Sequence, residues 1–258
     1  MLYVQKENCP DDIQAQIDEL TGTEEWDIIP EEPSSEQAKI IRERFFDKLK
    51  KGPIRETLIS EQHGLCAYCM DRVVNSEDQT TIEHLIPLSK SKAGAMDYAN
   101  WLAVCMGGQN IVPPQGEDRI VCCDVKKGNN ITVLSPFNKA QMSRIAYYDE
   151  GTIINSAPSG IRQRIIKHEI IYTFGLNGKV DSKTGRSRED TTTGIVKQRK
   201  DAYIAMRDLL QELDSNGELT SDNIDKIRDD LLSETVWEPF IGVKLYVLRL
   251  FAENLSNS

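Results

Sequence analysis

Apolar positions recur at helical spacing in the first quarter of the chain. Between about residues 34 and 62 they form one stripe, which consists of Ile40, Ile41, Phe45, Phe46 and Leu49. Most arginines and lysines of this segment fall on the other faces, as in an amphipathic helix packed on a core. Gly52-Pro53 is expected to break the segment, with a second short helix over residues 55–63 and Pro53 at or just before its first turn.

The second half of the chain shows an alternating segment followed by four helical stripes. The alternating segment is RIAYYDEGTIINSAP, and its central Asp149-Glu150-Gly151 predicts a β-hairpin turn. The stripes are Ile161, Ile165, Ile166 and Ile170; Ile195, Ala202, Met206, Leu209 and Leu213; Ile224, Ile227, Leu231 and Leu232; and Phe240, Val243, Val247, Leu250 and Phe251. Thr220-Ser221-Asp222 is a capping signal for the third helix, and Pro239 suits the first turn of the fourth.

Charge is distributed unevenly along the chain. The net charge is −10, and residues 1–36 account for all of it because they hold 11 acidic side chains and one lysine. We interpret this segment as an acidic leader. It is either a solvated or partly disordered segment, a docking arm for a basic partner, or a mask over a basic surface.

No apolar run approaches the roughly 18 residues needed to span a bilayer. The start, MLYVQKENCP, lacks the basic and apolar regions of a secretion signal. We therefore expect a cytoplasmic protein without a membrane partner.

Five of the six cysteines lie between residues 66 and 123. In a reducing compartment, clustered thiols indicate metal binding or redox chemistry rather than structural disulfides. The Cys66-x-x-Cys69 pair, Cys105 and one residue of the Cys122-Cys123 doublet can complete a tetrahedral zinc site. Adjacent residues project in different directions, so only one of the doublet should bind, and we favour Cys123. A redox pair and uncoordinated core cysteines are the alternatives.

Ionisable and amide side chains lie close to these cysteines in sequence. They are Glu83, His84, Asn100 and Asp124. Hydrolysis of a phosphodiester by one metal needs a base, oxygen ligands for a hard cation, and a group that orients the base. His84 suits the base, Glu83 and Asp124 suit Mg²⁺ or Mn²⁺, and Asn100 suits the orienting role. The structural alternatives are a salt bridge for Glu83, a cap or turn for Asn100, and a helix N-cap for Asp124.

Basic residues near these positions are candidates for contacts with nucleic acid. Lys126 and Lys127 follow Asp124 closely and can contact phosphate, although a solvated basic turn has the same composition. A basic loop further on can follow a nucleic-acid backbone, or can simply be a solvated surface loop. Its cations are Lys179, Lys183, Arg186 and Arg188.

The segments CAYC, IEH, ANWL and CDVKKGN resemble the pattern of HNH endonucleases. This resemblance implies a zinc-stabilised ββα-metal core within an α+β, mostly helical fold. It implies that His84 is the general base, that Asn100 positions it, and that Glu83 and Asp124 hold the catalytic cation. The zinc ligands would be Cys66, Cys69, Cys105 and Cys123. The chain departs from the pattern in the 17 residues between Cys105 and Cys123, which must loop out, and in Asp124, where His or Asn is commoner.

A weaker likeness, carried by the leader, RETLISEQHGLCAYCMDRV, the late hairpin and TFGLNGKV, is to the PtuB proteins. Those are HNH nucleases of Septu and retron-associated anti-phage systems, and the likeness implies a PtuA-like ABC-type ATPase and a retron complex as partners. The expected organisation is an acidic leader (1–36), helices plus the nuclease core (37–135), and a hairpin with a C-terminal helical region (136–258). A zinc-binding adaptor without catalysis and a stand-alone restriction-type nuclease are the alternative functions.

Overall fold

A computed structural model describes residues 1–113, 115–179 and 193–256 of the protein, and within them the chain is mostly helical with two small sheets. The α-helices are α1 (Asp11–Thr21), α2 (Glu24–Asp27), α3 (Ser35–Ile40), α4 (Lys51–Glu61), α5 (Lys92–Ala95), α6 (Cys123–Lys127), α7 (Lys139–Met142), α8 (Ile161–His168), α9 (Ile195–Ser215), α10 (Ser221–Leu232) and α11 (Ile241–Ser256). The strands are β1 (Thr80–His84), β2 (Trp101–Cys105), β3 (Ile145–Tyr147) and β4 (Ile153–Asn155). Among the described helices, none is long and apolar enough to cross a membrane.

The central core is an antiparallel pair of strands covered by helices. β1 pairs with β2 so that Thr80 lies opposite Cys105 and His84 lies opposite Trp101. Helix α6 packs on β2, and α4 packs on both strands. Both faces of the pair are therefore covered, and nearly every strand residue is buried. This arrangement of two strands and a short helix agrees with the predicted α+β fold with a ββα core.

The N-terminal helices follow the predicted apolar stripe but break earlier than predicted. Helix α3 continues into a π-helical turn (Ile41–Phe45) and a 3-10 turn (Phe46–Lys48). The chain is extended at Leu49 and Lys50, and α4 begins at Lys51. The prediction of a break at Gly52-Pro53 was wrong because both residues fit in the first turn of α4, where the backbone N–H groups have no partner within the helix.

Residues 1–36 are folded onto the rest of the molecule. Ile13, Ile17, Trp26 and Ile29 are buried in one hydrophobic cluster that also holds residues of the central and C-terminal regions. All eleven acidic side chains of the segment are exposed. The expectation of partial disorder was therefore wrong, whereas the acidic side chains are solvated as expected. Its apolar residues anchor it, and its acids form a surface.

The C-terminal region contains the predicted hairpin and the four predicted helices, α8 to α11, besides the short α7. β3 and β4 pair across the turn at 149–151, and Thr220 caps α10 by accepting a hydrogen bond from the backbone N–H of Asn223. The buried stripe of α8 differs from the prediction, since Ile166 and Ile170 are buried while Ile161 is 73% exposed. Neighbouring helical positions differ by about 100° in direction, so a stripe shifted by one residue faces solvent.

Candidate active site and cysteine cluster

The first pair of cysteines lies in a tight hairpin. Backbone hydrogen bonds join Cys66 N to Asp71 O and Met70 N to Cys66 O. Met70 has a positive φ of 69°, which turns the chain so that the backbone N–H of Asp71 donates to Cys69 Sγ at 3.4 Å. The hairpin thus aims both sulfurs in one direction and already donates a hydrogen bond to one of them.

Cys105 and Cys123 complete the group from two other elements. Cys105 ends β2, Cys123 begins α6, and the four sulfurs all lie within 4.8 Å of one another. All six cysteines are free thiols. Three of the four clustered cysteines are buried and Cys105 is half-buried. Four sulfurs are a donor set of structural zinc, and the cluster could hold that ion. Hydrogen bonding to Cys105 and burial raise the pKa of Cys69 well above its usual range, and a bound cation would favour the thiolate form.

The loop between Cys105 and the doublet closes through Gly107. Cys122 N donates to Gly107 O at 2.9 Å, and a Cβ on Gly107 would lie 2.2 Å from Cys122 O. No helix or strand occurs in the described residues between β2 and α6, so this segment loops out as predicted. Cys122 Sγ is 3.6 Å from Cys123 Sγ but lies outside the group of four.

Glu83, His84 and Asp124 line one pocket of about 300 Å³. Glu83 and His84 end β1, and Asp124 is the second residue of α6. Asp124 is not the helix N-cap, because that position belongs to Cys122. Thus the sheet and α6 bring two carboxyl groups and an imidazole from distant parts of the sequence to one cavity.

The ring of His84 is fixed on several sides. His84 Nε2 lies 2.9 Å from Ala95 O, which can only accept, so Nε2 carries the proton and Nδ1 keeps its lone pair. Nδ1 has no hydrogen-bond partner within the described part of the chain. Phe46 packs on the ring edge-on at 4.5 Å between centroids. Burial lowers the pKa of His84 to about 4, and the charges of Lys51, Arg42 and Lys127 add to the effect. His84 is therefore neutral at pH 7, the form that accepts a proton.

Asn100 supports the position of the His84 ring indirectly, through backbone groups. Its side-chain amide donates to Ile86 O at 2.9 Å and to Gly94 O at 2.8 Å, and its oxygen accepts from Ile86 N. No hydrogen bond joins Asn100 to the His84 ring among the described contacts. Asn100 thus ties the segment after β1 to the residue that precedes Ala95, and the Ala95 carbonyl contacts His84 directly.

Glu83 is buried and surrounded by polar groups. Lys127 Nζ lies 2.7 Å from Glu83 Oε1, and the Tyr68 hydroxyl donates to the same oxygen at 3.2 Å. Burial and the nearby carboxyl group of Asp124 raise the pKa of Glu83 to about 8, while Lys127 opposes the shift. Among the described residues, the site therefore holds two carboxyl groups, Glu83 and Asp124, and only one buried lysine, Lys127, to compensate their charge.

The two lysines that follow Asp124 lie in different places. Lys126 is exposed beside a second cavity, which Arg119, Tyr172 and Lys179 also line. Lys127 is fully buried, with 0% of its surface exposed, and also donates to His84 O at 3.2 Å. The ammonium group of Lys127 lies inside the site and pairs with Glu83, so the phosphate contact of Lys127 stays a prediction that this geometry does not favour.

The basic loop predicted after α8 is only partly described. Lys179 forms an exposed ion pair with Asp118. Lys183, Arg186 and Arg188 lie outside the described residues. The prediction that this loop follows a nucleic-acid backbone stays a prediction.

Sequence reasoning missed three groups of this site. Phe46 was part of an apolar stripe and gave no sign of contacting an imidazole. The Ala95 carbonyl is a backbone group, so the residue type at this position gives no indication of a contact with His84. Arg42 lines the pocket from a π-helical turn far from the cysteines in sequence. Only the packing of the N-terminal helices on β1 brings Phe46 and Arg42 to His84.

Comparison with protein families gives a match to the HNH endonuclease family over residues 66–106. The matched segment includes both strands of the core, Glu83, His84, Asn100 and three of the four clustered cysteines. The chain therefore contains an HNH endonuclease domain, which supports nuclease activity as its general function. Comparison with curated proteins gives no match.

Proposed function

We propose that the protein hydrolyses phosphodiester bonds of nucleic acid with one divalent cation, with His84 as the general base. The observation that carries this proposal is the shared pocket of His84, Glu83 and Asp124. The neutral imidazole has one nitrogen fixed by Ala95 and the other available to accept a proton. This is what activation of water requires.

The carboxyl groups fit a hard cation. Glu83 and Asp124 would hold Mg²⁺ or Mn²⁺, which in proteins is commonly bound by one or two carboxylates together with substrate phosphates. The raised pKa of Glu83 supports this assignment, since two acids share the site and Lys127 neutralises only one charge. When bound, the cation supplies Lewis-acid stabilisation of charge on the phosphate and the leaving oxygen.

The protein groups have separable roles in this reaction. His84 Nδ1 takes a proton from the attacking water while the bond from its oxygen to phosphorus forms and the bond to the leaving oxygen breaks. The Ala95 carbonyl and Phe46 keep the imidazole in its tautomer and orientation, and Asn100 holds the segment that carries this carbonyl. Lys126, exposed at the far side of α6, is the candidate for a contact with the substrate backbone. Cys66, Cys69, Cys105 and Cys123 would bind structural Zn²⁺.

The finer part of the proposal is a cytoplasmic role in anti-phage defence. The resemblance to PtuB proteins supports a complex with a PtuA-like ABC-type ATPase, and a retron complex as a further partner. The acidic surface of residues 1–36 and the C-terminal helices are the candidate docking regions. The near-neutral charge of the rest of the chain suggests that a partner contributes to substrate binding.

Substitution His84→Ala tests the chemistry. We expect cleavage to fall by about 10²–10⁴-fold, the usual contribution of a general base, with little change in fold. The assay uses phage DNA and cellular RNA with Mg²⁺ or Mn²⁺, with and without the product of the neighbouring gene.

His168→Ala is the matched control, because His168 is exposed on α8 and away from the pocket. Retained cleavage in His84→Ala would overturn the assignment of the base. Cleavage that needs the neighbouring gene product would support the complex, and equal cleavage without it would favour a stand-alone nuclease.

A further inference from the structure

Arg42 lies at the mouth of the candidate catalytic pocket. It belongs to the π-helical turn Ile41–Phe45, outside the segment that matches the HNH family. It lines the same cavity as His84 and Asp124. The backbone N–H of Phe46 contacts both Arg42 O and Ile41 O at this turn. π-helical turns of this kind occur frequently at functional sites.

The packing of this turn explains why an arginine faces the pocket. Ile41 and Phe45 are buried in the core, and Phe46 packs on the His84 ring. Arg42 is exposed next to this anchor. Its position beside the base therefore follows from the Phe46 contact rather than from a loose surface loop.

The charge of Arg42 has no counterpart in the described structure. Arg42 forms no ion pair or hydrogen bond among the described residues, whereas Arg44, two residues later, pairs with Glu25. Arg42 is also the only arginine or lysine among the described residues that line the pocket, since Lys127 is buried against Glu83. The pocket holds two carboxyl groups, which would bind a metal cation. The unpaired guanidinium of Arg42 at its entrance is positioned to bind an anionic group of a substrate that contacts this cation.

We propose that Arg42 binds a phosphate group of the nucleic-acid substrate beside His84 and stabilises the charge that develops on it during hydrolysis. This inference rests on the proposed nuclease function and adds a residue from outside the HNH segment to it. The guanidinium presents a planar fork of donors that matches two phosphate oxygens and stays protonated throughout. It therefore contributes charge and orientation, while proton transfer stays with His84.

The test compares Arg42→Ala and Arg42→Lys with Arg44→Ala in the full chain. Binding is measured by fluorescence anisotropy of labelled DNA and RNA oligonucleotides in the His84→Ala background, over a series of salt concentrations. Cleavage is measured as kcat and KM with His84 intact. Arg42 is exposed, so melting temperatures of all three variants should match the wild type.

For Arg42→Ala we expect about 100-fold lower kcat/KM, as when one donor to a transition-state oxyanion is removed. The slope of log K against log salt should fall by about 0.7–0.9, the value for one lost phosphate contact. Arg42→Lys should recover part of the binding but little of kcat, because an ammonium group lacks the fork. Arg44→Ala should behave as the wild type.

The outcomes separate this inference from the proposed function. If the wild type cleaves and Arg42→Ala matches Arg44→Ala in cleavage and salt slope, the role of Arg42 is overturned and the nuclease stands. If binding depends on Arg42 but the wild type cleaves neither substrate, the phosphate contact stands and the proposed function fails. A wild type that binds neither DNA nor RNA, both alone and with the product of the neighbouring gene, overturns both.

Discussion

Two neighbouring ionisable residues of β1 have different environments although they share one strand end. Glu83 lies against Lys127, Tyr68 and Asp124, so its environment is polar and charged. His84 lies against Phe46 and the Ala95 carbonyl, so it is held neutral by burial with one fixed tautomer. Both residues line the same pocket, and these different surroundings separate an acid suited to a cation from a base suited to a proton.

The buried ion pair of Lys127 with Glu83 gives a prediction at the residue scale. Lys127→Met removes the only ammonium group within reach of Glu83 among the described residues. Breaking one side of a buried pair costs up to about 3–5 kcal/mol. Because the pKa of Glu83 is raised to about 8, the carboxyl left behind can take up a proton, which keeps the loss at the lower end of that range. We expect a loss of that size in the free energy of unfolding, measured with urea.

Lys126→Met is the control, because Lys126 is exposed and no described ion pair involves it. Mg²⁺ should raise the melting temperature of Lys127→Met more than that of the wild type if Glu83 holds a cation. Equal unfolding free energies for Lys127→Met and Lys126→Met would show that the buried pair does not stabilise the fold.

At the scale of elements, the cysteine cluster joins three pieces of the core. The 65–72 hairpin, the end of β2 and the start of α6 each bring sulfur to one point. Cys123 adopts a positive φ of 55°, an uncommon conformation for a residue with a Cβ. Its N–H donates to Phe174 O at 2.9 Å, so the turn into α6 is fixed from the C-terminal side.

The doublet provides a matched pair of variants for the metal. Cys123→Ser should lose bound zinc and unfold the core, since structural zinc contributes roughly 10–16 kcal/mol of apparent binding energy. Cys122→Ser should keep one zinc per chain, because its sulfur lies outside the group of four. Elemental analysis and thermal melting with and without chelator measure both effects, with Cys9→Ser as a further control.

Loss of zinc from Cys122→Ser together with retention in Cys123→Ser would mean that Cys122 is the ligand. Retention of folding in Cys123→Ser after full chelation would mean that the cluster is a group of core thiols. Either result contradicts the assignment of Cys123 to structural zinc.

At the scale of the whole molecule, one buried arginine ties the C-terminal region together. Arg199 on α9 is fully buried, and it donates from Nε to Gly151 O at 2.8 Å and from Nη2 to Leu176 O. Its Nη1 atom has no partner in the described structure. Burial lowers the pKa of Arg199, and Tyr147 and the thiols of the cysteine cluster oppose the shift. The helix, the hairpin turn and the segment after α8 therefore meet at one side chain.

Arg199→Ala should lower the free energy of unfolding by about 3 kcal/mol or more. Two buried carbonyls lose their donors and a cavity forms in place of the side chain. For a chain of this size, the melting temperature should fall by roughly 5–10 °C. Lys200→Ala, an exposed neighbour on the same helix, should melt as the wild type, and an equal melting temperature for both would contradict the role of Arg199.

Local sequence signals were sufficient for much of the fold. The stripes around Phe45, Met206 and Val247, the turn at Gly151 and the cap at Thr220 predicted helices and a hairpin that the structure contains. These features depend on periodicity and local hydrogen bonding, which a single sequence carries. Predictions failed where burial is decided by neighbours, as for Ile161 and for the folded residues 1–36, because exposure depends on what packs against a helix.

The sequence by itself determined which residues are candidates for chemistry: four cysteines at ligand spacing, an acid and an imidazole at one strand end, an asparagine and an aspartate further on. Residue type fixes donor atoms and charge, so these candidates could be named without coordinates. Only the tertiary structure decided their relations. It buried Lys127 against Glu83, put the Ala95 carbonyl rather than Asn100 on the imidazole, and brought Arg42 and Phe46 to the pocket. Such contacts join residues far apart in the chain, and their partners are set by how the helices pack rather than by local pattern.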